Sequence, residues 1–179
     1  WPSYLDNTVA GGITSGETPR SSILREFAEE ASLSPDVISP LLRQVGVVTY
    51  CTKTKTGGGW LSPEVQYVYD AKLPSPTPLG SNDDEEKDDG DDEVEVKEGR
   101  KDVGIVPTTN PDDGEVESFE LMGVDEVVER MWNGEFKPNC ALVMIDFLIR
   151  HGLITAESDV RYLEISRRLH RELGTPMPV

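Results

Sequence analysis

Residues 11–33 read GGITSGETPRSSILREFAEEASL and contain the strongest local pattern in the chain. Thr18 followed by Pro19 is typical of a helix start, because threonine caps free N–H groups and proline fits the first helical position. We therefore expect a helix from residue 18 to about residue 31. The unusual feature of this helix is the number of acidic side chains that it carries.

Three carboxylates of the predicted helix share one face. Glu26, Glu29 and Glu30 are three and four residues apart, so their side chains are neighbours on a helix. Like charges so placed destabilise a helix by roughly 0.2–0.5 kcal/mol per pair. A divalent cation would explain the cluster, since Mg²⁺ prefers hard oxygen ligands and the Gly11-Gly12 turn offers a carbonyl. The alternative is a solvated acidic helix face.

Length and charge limit the kind of protein and its partners. The chain has 179 residues, enough for one domain with a core. Its formal net charge is −17, from 34 acidic and 17 basic residues. Nucleic acid and anionic membranes are therefore poor partners. An anionic small molecule would also be repelled unless a cation lies between it and the protein.

The cysteines and the apolar pattern bear on the compartment. Cys51 and Cys140 are too few for a disulfide framework, and they indicate a reduced, cytoplasmic chain in which both are small buried residues. No apolar run approaches the ~20 residues that a membrane span needs. Because the first residue is Trp1 and not Met, we expect the chain to be a fragment.

An acidic insertion interrupts the chain at residues 74–113. Between residues 83 and 102 it carries twelve acidic and four basic residues, which supply −8 of the net charge. It has almost no apolar content and cannot recover the entropy lost on ordering. We expect a disordered surface insertion within a single domain of residues 1–179. An acidic cation-binding segment is the alternative.

Outside the insertion, strand-like and helix-like segments alternate. A short helical turn is expected at Ser34-Pro35. Strands are predicted over residues 45–54, 64–72 and 115–122, the first two joined as a hairpin by the glycines at 57–59. Helices are predicted over residues 125–132, 139–151 and 157–173. The helix at 139–151 is apolar nearly all round, so it should be a core helix that Gly152 closes. The pattern indicates an α+β or α/β fold.

The spacing of residues 11–33 resembles the Nudix box, G-x5-E-x7-R-E-U-x-E-E-x-G-U, where U is an aliphatic or aromatic residue. Eight of the nine specified positions match, if Phe27 is accepted as U, and the departure is Ser32 in place of glycine. The resemblance implies an α+β fold, an α/β/α sandwich with a mixed sheet between helices. Strands that normally precede residue 5 are absent, so we expect one or more N-terminal strands to be missing.

Segments outside the box resemble a narrower branch, the Nudix proteins related to thiamine metabolism. In fungi these occur beside or fused to thiamin pyrophosphokinase, and plants have relatives. The segments are LDNTVAGGI, DGEVESFELM, FKPNCALVMIDFLIRHG and YLEISRRLHREL.

The resemblance implies a reaction and a set of site residues. Nudix enzymes use Mg²⁺ or Mn²⁺ to cleave a diphosphate linked to another moiety by attack of water at phosphorus. It implies that Glu29 and Glu30 are the main metal ligands, and that Glu26 is a ligand or the group that orients and deprotonates the water. The Gly11 carbonyl would be a further ligand. Glu17 and Arg25 would hold the loop and helix together.

Family members often add a carboxylate from outside the box as base or extra ligand. Glu115 and Glu117 are the candidates here, with Glu64 in reserve, and a solvated strand face is the alternative. The aromatic candidates for stacking on a planar substrate group also suit the core. They are Trp60, Tyr67 and Phe119. The two histidines, His151 and His170, are expected to be surface or core residues.

Three readings of the function stay open. The first is an Mg²⁺-dependent diphosphohydrolase, for which the branch resemblance points to thiamine diphosphate or its damaged forms as substrate and the monophosphate and phosphate as products. The second keeps the chemistry but takes ADP-ribose, a dinucleotide or an isoprenoid diphosphate. The third is a non-catalytic Nudix module that binds a ligand or partner; intact Glu26, Glu29 and Glu30 speak against it, and Ser32 weakly for it. The oligomeric state is left open.

Overall fold

Helices and one β-hairpin are the regular elements in the described part of the computed structural model, which comprises residues 2–53, 61–74 and 104–174. The elements in chain order are α1 (Pro19–Ala31), α2 (Pro35–Ile38), a 3-10 turn (Ser39–Leu41), β1 (Leu42–Lys53), β2 (Leu61–Ala71), α3 (Val124–Trp132), α4 (Pro138–Arg150) and α5 (Tyr162–Leu169). The predicted α+β class is confirmed.

Strands β1 and β2 pair in an antiparallel hairpin. Its register places Leu42 opposite Ala71 at one end and Lys53 opposite Leu61 at the other. The β-branched and aromatic residues of both strands favour this extended conformation. The prediction of two paired strands is confirmed, while the predicted glycine loop at 57–59 lies outside the described residues.

Helices cover both faces of the hairpin. On one face, Phe27 of α1 belongs to a buried cluster that packs with Tyr69 of β2. On the other face, Leu169 of α5 packs with Val48 and Val68. Since successive side chains of a strand point to opposite faces, Val68 and Tyr69 contact different helical layers. The order helix, sheet, helix agrees with the expected sandwich, although the sheet of the described residues has only two antiparallel strands.

A charged clamp joins α4 to β2. The guanidinium of Arg150 donates two hydrogen bonds to Asp70, at 2.6 and 3.0 Å, and one to the buried Asp146 at 2.7 Å. Burial alone would raise the pKa of Asp70, but the hydrogen bonds and charge of Arg150 outweigh it and hold that pKa below its usual value. The His151 ring lies 3.4 Å from Asp70, so this histidine belongs to the clamp.

The helices after the insertion follow the prediction in part. α3 and α4 lie within one residue of their predicted starts and ends, and Gly152 follows α4 with a φ of 71°, as expected of a closing glycine. The helix predicted over 157–173 is confirmed only as the shorter α5. Before α5 the chain forms turns, because the hydroxyl of Thr155 and the carboxylate of Asp159 accept backbone N–H groups and so compete with a helix.

The strand predicted over residues 115–122 is wrong, since the structure has neither strand nor helix there. A strand needs a neighbour for its N–H and C=O groups, and neither β1 nor β2 pairs with this segment. The alternating pattern also predicted that Leu121 would face the core, but Leu121 is fully exposed. Phe119 does pack against the cluster around α1, so this segment is anchored without being a strand.

The residues on either side of the undescribed part of the predicted acidic insertion contact each other. The carbonyl of Pro74 accepts a hydrogen bond of 3.2 Å from the N–H of Ile105. The last described residue before the gap therefore lies next to the first residues described after it. Residues 75–103, which hold most of the predicted insertion, lie outside the described residues. Among the described helices, none combines the length and apolar character that crossing a membrane requires.

Candidate metal centre

Helix α1 has a defined beginning and end, which fixes where its acidic face lies. The Thr18 hydroxyl accepts a hydrogen bond from the N–H of Ser21, and the Ser21 hydroxyl accepts one from the N–H of Thr18, forming a reciprocal cap. At the other end Ser32 has φ 53° and ψ 28°, a left-handed conformation. The serine therefore adopts the conformation that glycine adopts more easily, as the box pattern predicts.

Gly11 packs directly against the carboxylate of Glu26. A Cβ atom at position 11 would lie 1.9 Å from Glu26 Oε1 and 2.0 Å from its Cδ, so it would force the Glu26 carboxylate to move. Glu26 is buried, with 9% of its surface exposed. The glycine therefore lets the loop backbone approach the helix, and it places the main chain of residue 11 beside a buried carboxylate.

Arg25 connects the loop to the helix. Its guanidinium contacts Glu17 at 3.0 Å, Glu26 at 2.9 Å and Glu29 at 2.6 Å, and it donates to the Gly12 carbonyl at 3.2 Å. The hydrogen bonds to Glu17 and Glu29 raise the pKa of Arg25 and keep it charged. The geometry agrees with the structural role expected for Arg25 and Glu17.

Glu30 is the second buried carboxylate, with 9% of its surface exposed. Its Oε2 accepts a hydrogen bond of 3.1 Å from the N–H of Ala10. Burial first, and then the nearby charges of Glu26, Asp6 and Glu115, raise the pKa of Glu30 to about 7, against the opposing effect of Ala10. Negative charge is thus costly at this position, which is the condition that a bound cation would relieve.

The donor atoms suit a hard cation, but the side chains are arranged around Arg25. Glu29 is 49% exposed and its carboxylate turns to Arg25, whereas Glu26 and Glu30 are buried. Over residues 2–53, 61–74 and 104–174, no three acidic, histidine or cysteine side chains converge as a metal cage. Carboxylate and carbonyl oxygens are the ligands of Mg²⁺, which commonly takes only one or two from the protein and the rest from substrate phosphate and water. The chemistry of the residues therefore fits the ion.

The carboxylates proposed from outside the box lie in different places. Glu115 is close enough to Glu30 to raise its pKa. Glu117 is exposed, and no hydrogen bond or ion pair joins it to another described residue. Glu64 is on β2 and accepts a hydrogen bond from the hydroxyl of Tyr50. Of the three, Glu115 is the one that the structure places beside the acidic face.

The predicted aromatic contacts divide similarly. Phe119 packs against the buried cluster of α1, so its use is in the core. Tyr67 is half-buried on β2, opposite Val47. Trp60 lies outside the described residues. Of the cysteines, Cys140 is buried as predicted, whereas the prediction of a buried Cys51 is wrong, because that residue is only partly buried.

The sequence did not reveal a second set of polar residues beside Glu30. Asp6 forms an ion pair with Lys137, and the Cys140 thiol donates to Asp6 at 2.7 Å. Asp6 contributes to the pKa of Glu30, and Glu30 in turn to that of Lys137. The only local signal is the proline after Lys137, which predicts that a helix starts there. Nothing in the sequence indicates that residues 6 and 137 meet.

A helix that holds buried carboxylates against a glycine turn defines a candidate site for a divalent cation. No protein-family model matches the chain. Over 98% of its length the chain is 39% identical to an uncharacterized protein of Saccharomyces cerevisiae, YJR142W, of which it spans 45%. Over 94% of its length it is 34% identical to Nudix hydrolase 24, chloroplastic, and 32% identical to Nudix hydrolase 20, chloroplastic, both of Arabidopsis thaliana.

The two plant relatives support the Nudix family for this chain, in agreement with the box and with the geometry of α1. The chain spans 37% and 36% of their lengths, less than half of each relative, as it does for the yeast protein. The narrower resemblance to thiamine-related proteins has no counterpart in these names.

Proposed function

We propose that this chain is a Nudix-type hydrolase domain that cleaves a small-molecule diphosphate with Mg²⁺ or Mn²⁺. The observation that carries the proposal is the pair of buried carboxylates, Glu26 and Glu30, held beside the backbone of residues 10 and 11. Arg25 pairs with Glu26 at 2.9 Å, but no ion pair to a described residue offsets the charge of Glu30. Burying this second negative charge is unfavourable, so the arrangement is best explained by a site that binds a cation.

The proposed ligands of the ion are the carboxylates of Glu26, Glu29 and Glu30, the Gly11 carbonyl and, from outside the box, Glu115. A bound divalent ion polarises phosphoryl oxygens and lowers the pKa of its water. Glu29 would exchange part of its contact with Arg25 for the ion, while Glu17 keeps the guanidinium in place.

In the proposed reaction, the oxygen of water bonds to one phosphorus and the P–O–P bridge breaks. The products are an organic monophosphate and inorganic phosphate, and the proton of the water passes to a base. Glu26 is the first candidate for that base, because it is fixed by Gly11 and by Arg25 at 2.9 Å. Glu117 is the second, and would require residues 115–122 to bring it to the acidic face.

Thiamine diphosphate, or a damaged form of it, is the proposed substrate. The support is the resemblance of segments outside the box, two of which meet in the structure. Leu5 and Phe136, from LDNTVAGGI and FKPNCALVMIDFLIRHG, form a β-bridge, and the residues that follow each of them lie beside Glu30. ADP-ribose, a dinucleotide or an isoprenoid diphosphate would use the same chemistry, and a non-catalytic module would bind a ligand or partner without turnover.

The test is chromatographic measurement of the phosphorylated products formed from a panel of these diphosphates by wild type, Glu29→Gln and Glu30→Gln, with Glu129→Gln as the control. Glu129 is an exposed acid on α3, so its loss removes the same charge away from the site. We expect both site variants to lose turnover and the control to keep it. The proposal fails if Glu30→Gln retains wild-type rates, or if millimolar Mg²⁺ with a diphosphate gives wild type no thermal stabilisation.

Two wider assignments belong to this proposal as well. The first is that residues 1–179 form one domain and that the acidic segment is an insertion in it, which the contact between Pro74 and Ile105 supports. The second is a cytoplasmic location, which rests on the cysteine usage alone. The names of the two plant relatives include the word chloroplastic, which is a statement about those proteins.

A further inference from the structure

We propose that Lys137 binds a phosphate group of the substrate at the acidic site, and that Asp6 is the residue that positions it. The inference rests on the proposed diphosphate hydrolysis, to which it adds a cation from outside the box. It is carried by the hydrogen bonds that join both Lys137 and Glu30 to the segment of residues 5–10, and by the way in which the other nearby cation, Arg25, is already used.

The position of Lys137 is fixed by its backbone. The N–H of Leu5 donates to the Glu135 carbonyl at 2.8 Å, and the N–H of Lys137 donates to the Leu5 carbonyl at 2.9 Å. These bonds align residues 5–6 with residues 136–137. Lys137 is also the residue that caps the start of α4, with Pro138 as the first helical residue. The helix dipole adds to the positive charge there.

Asp6 is held on more than one side. Its Oδ1 accepts the N–H of Asn7 at 2.8 Å and the thiol of Cys140 at 2.7 Å, while Oδ2 contacts the Lys137 ammonium. Since the carboxylate cannot turn without losing these bonds, it directs the ammonium. The hydrogen bond to Asp6 raises the pKa of Lys137, which keeps it charged.

The two cations near the acidic face, Arg25 and Lys137, differ in how many partners they already have. Arg25 contacts three carboxylates and a carbonyl. The Lys137 ammonium has three N–H donors, and within the described chain Asp6 is its one ion-pair partner. Its side chain is 29% exposed, so a ligand can reach it. Lys137 is thus the cation that can accept a new anionic partner.

A bound diphosphate would be a suitable anionic partner for Lys137. A diphosphate group carries more negative charge than one divalent ion neutralises, and the surrounding side chains are acidic. Lysine binds phosphate as a point charge, and a donor fixed in advance stabilises charge that develops on a departing phosphate oxygen. Lys137 would therefore strengthen binding of the diphosphate but oppose binding of the metal ion alone.

The test separates those two effects on the full chain. Mn²⁺ binding is measured by electron paramagnetic resonance, and binding of methylene diphosphonate, a diphosphate that cannot be hydrolysed, is measured calorimetrically with Mn²⁺ present. The variants are Lys137→Met, Lys137→Arg and Asp6→Asn. The control is Lys72→Met, which removes the same charge from an exposed position at the end of β2.

For Lys137→Met we expect diphosphonate affinity to fall about tenfold or more, as is typical when a charged hydrogen bond is lost, and Mn²⁺ affinity to stay the same or rise. The fall should shrink at high salt. Lys137→Arg should recover part of the loss, Asp6→Asn should show a smaller loss, and Lys72→Met should match wild type.

Two results would count against these claims, and they are distinguishable. If wild type binds no Mn²⁺, the proposed metal-dependent function is wrong and the role of Lys137 falls with it. If wild type binds Mn²⁺ and Lys137→Met binds diphosphonate as well as Lys72→Met does, the inference is wrong while the proposed function stands. Should Lys137→Met not fold, Asp6→Asn decides, because wild-type diphosphonate affinity with an unchanged salt dependence in that variant would exclude a cation that Asp6 positions.

Discussion

Gly11 and Glu26 are in direct contact: a Cβ atom at position 11 would fall 1.9 Å from a carboxylate oxygen of Glu26, so a side chain there would displace that carboxylate. Gly11 lies in the loop before α1 and Glu26 lies on α1, so this contact joins the two parts of the box. It explains why the box specifies a glycine at a position whose φ is not positive. The lack of a side chain at residue 11 leaves room for the Glu26 carboxylate.

We expect Gly11→Ala to displace Glu26, because the carboxylate and the loop backbone cannot both stay in place. Overpacking of this kind typically destabilises a protein by about 1–3 kcal/mol, and Mn²⁺ affinity should fall with it. Gly12→Ala is the matched control, since a Cβ at position 12 meets no atom within 4 Å. Equal unfolding free energies and equal Mn²⁺ affinities for the two variants would contradict the packing argument.

Ser32→Gly should stabilise the protein by about 1 kcal/mol, because a left-handed conformation is costly for a residue with a side chain. The φ of 53° and ψ of 28° at Ser32 place it in that region. Turnover should be unchanged, as residue 32 supplies no ligand. Urea unfolding measures the effect. Ser34→Gly serves as the comparison: Ser34 is extended, with φ −65°, so glycine there should destabilise slightly, and a gain at both positions would refute the explanation.

The clamp between Asp70 and Arg150 should make stability depend on acid. The pKa of Asp70 is lowered in the folded protein relative to 3.8, so its ionised form stabilises the fold above pH 3.8 and this contribution is lost as the pH falls further. Asp70→Asn should therefore cost about 1–2 kcal/mol at pH 7, and the difference from wild type should shrink below pH 4. Urea unfolding at several pH values measures it, with exposed Asp113→Asn as control. A difference that does not change with pH would argue against the ion pair.

Removal of most of the acidic insertion should leave the fold and activity intact. The Pro74 carbonyl and the Ile105 N–H are 3.2 Å apart, N to O, so a short Gly-Ser connection can replace residues 77–102. Loop length affects stability only logarithmically, by about 0.6 kcal/mol per doubling. Thermal unfolding and phosphate release measure the outcome. A replacement of equal length that keeps the residues but shuffles them controls for charge; loss of folding in the deletion alone would mean that the segment packs.

The local features of the box could be predicted from sequence because each depends on neighbouring residues. The Thr18 cap and the left-handed Ser32 follow from hydrogen bonds within one turn. The wrong strand at 115–122 shows the limit of such reasoning, since alternation cannot reveal whether a partner strand is present. The encounter of Asp6 with Lys137 was missed for the same reason, because it depends on how distant segments pack.

The contact between Asp6 and Lys137 also limits the order in which parts of the chain can fold. Asp6 and Lys137 are 131 residues apart in the chain, and at about 5–20 residues per second a ribosome needs roughly 7–26 s to make that length. During this time the nascent chain holds the whole of α1, with its acidic face, before α4 exists to complete the site. Contacts so distant in sequence also slow folding after release. The contact between Asp6 and Lys137 therefore cannot form until α1 and both strands of the hairpin have been made.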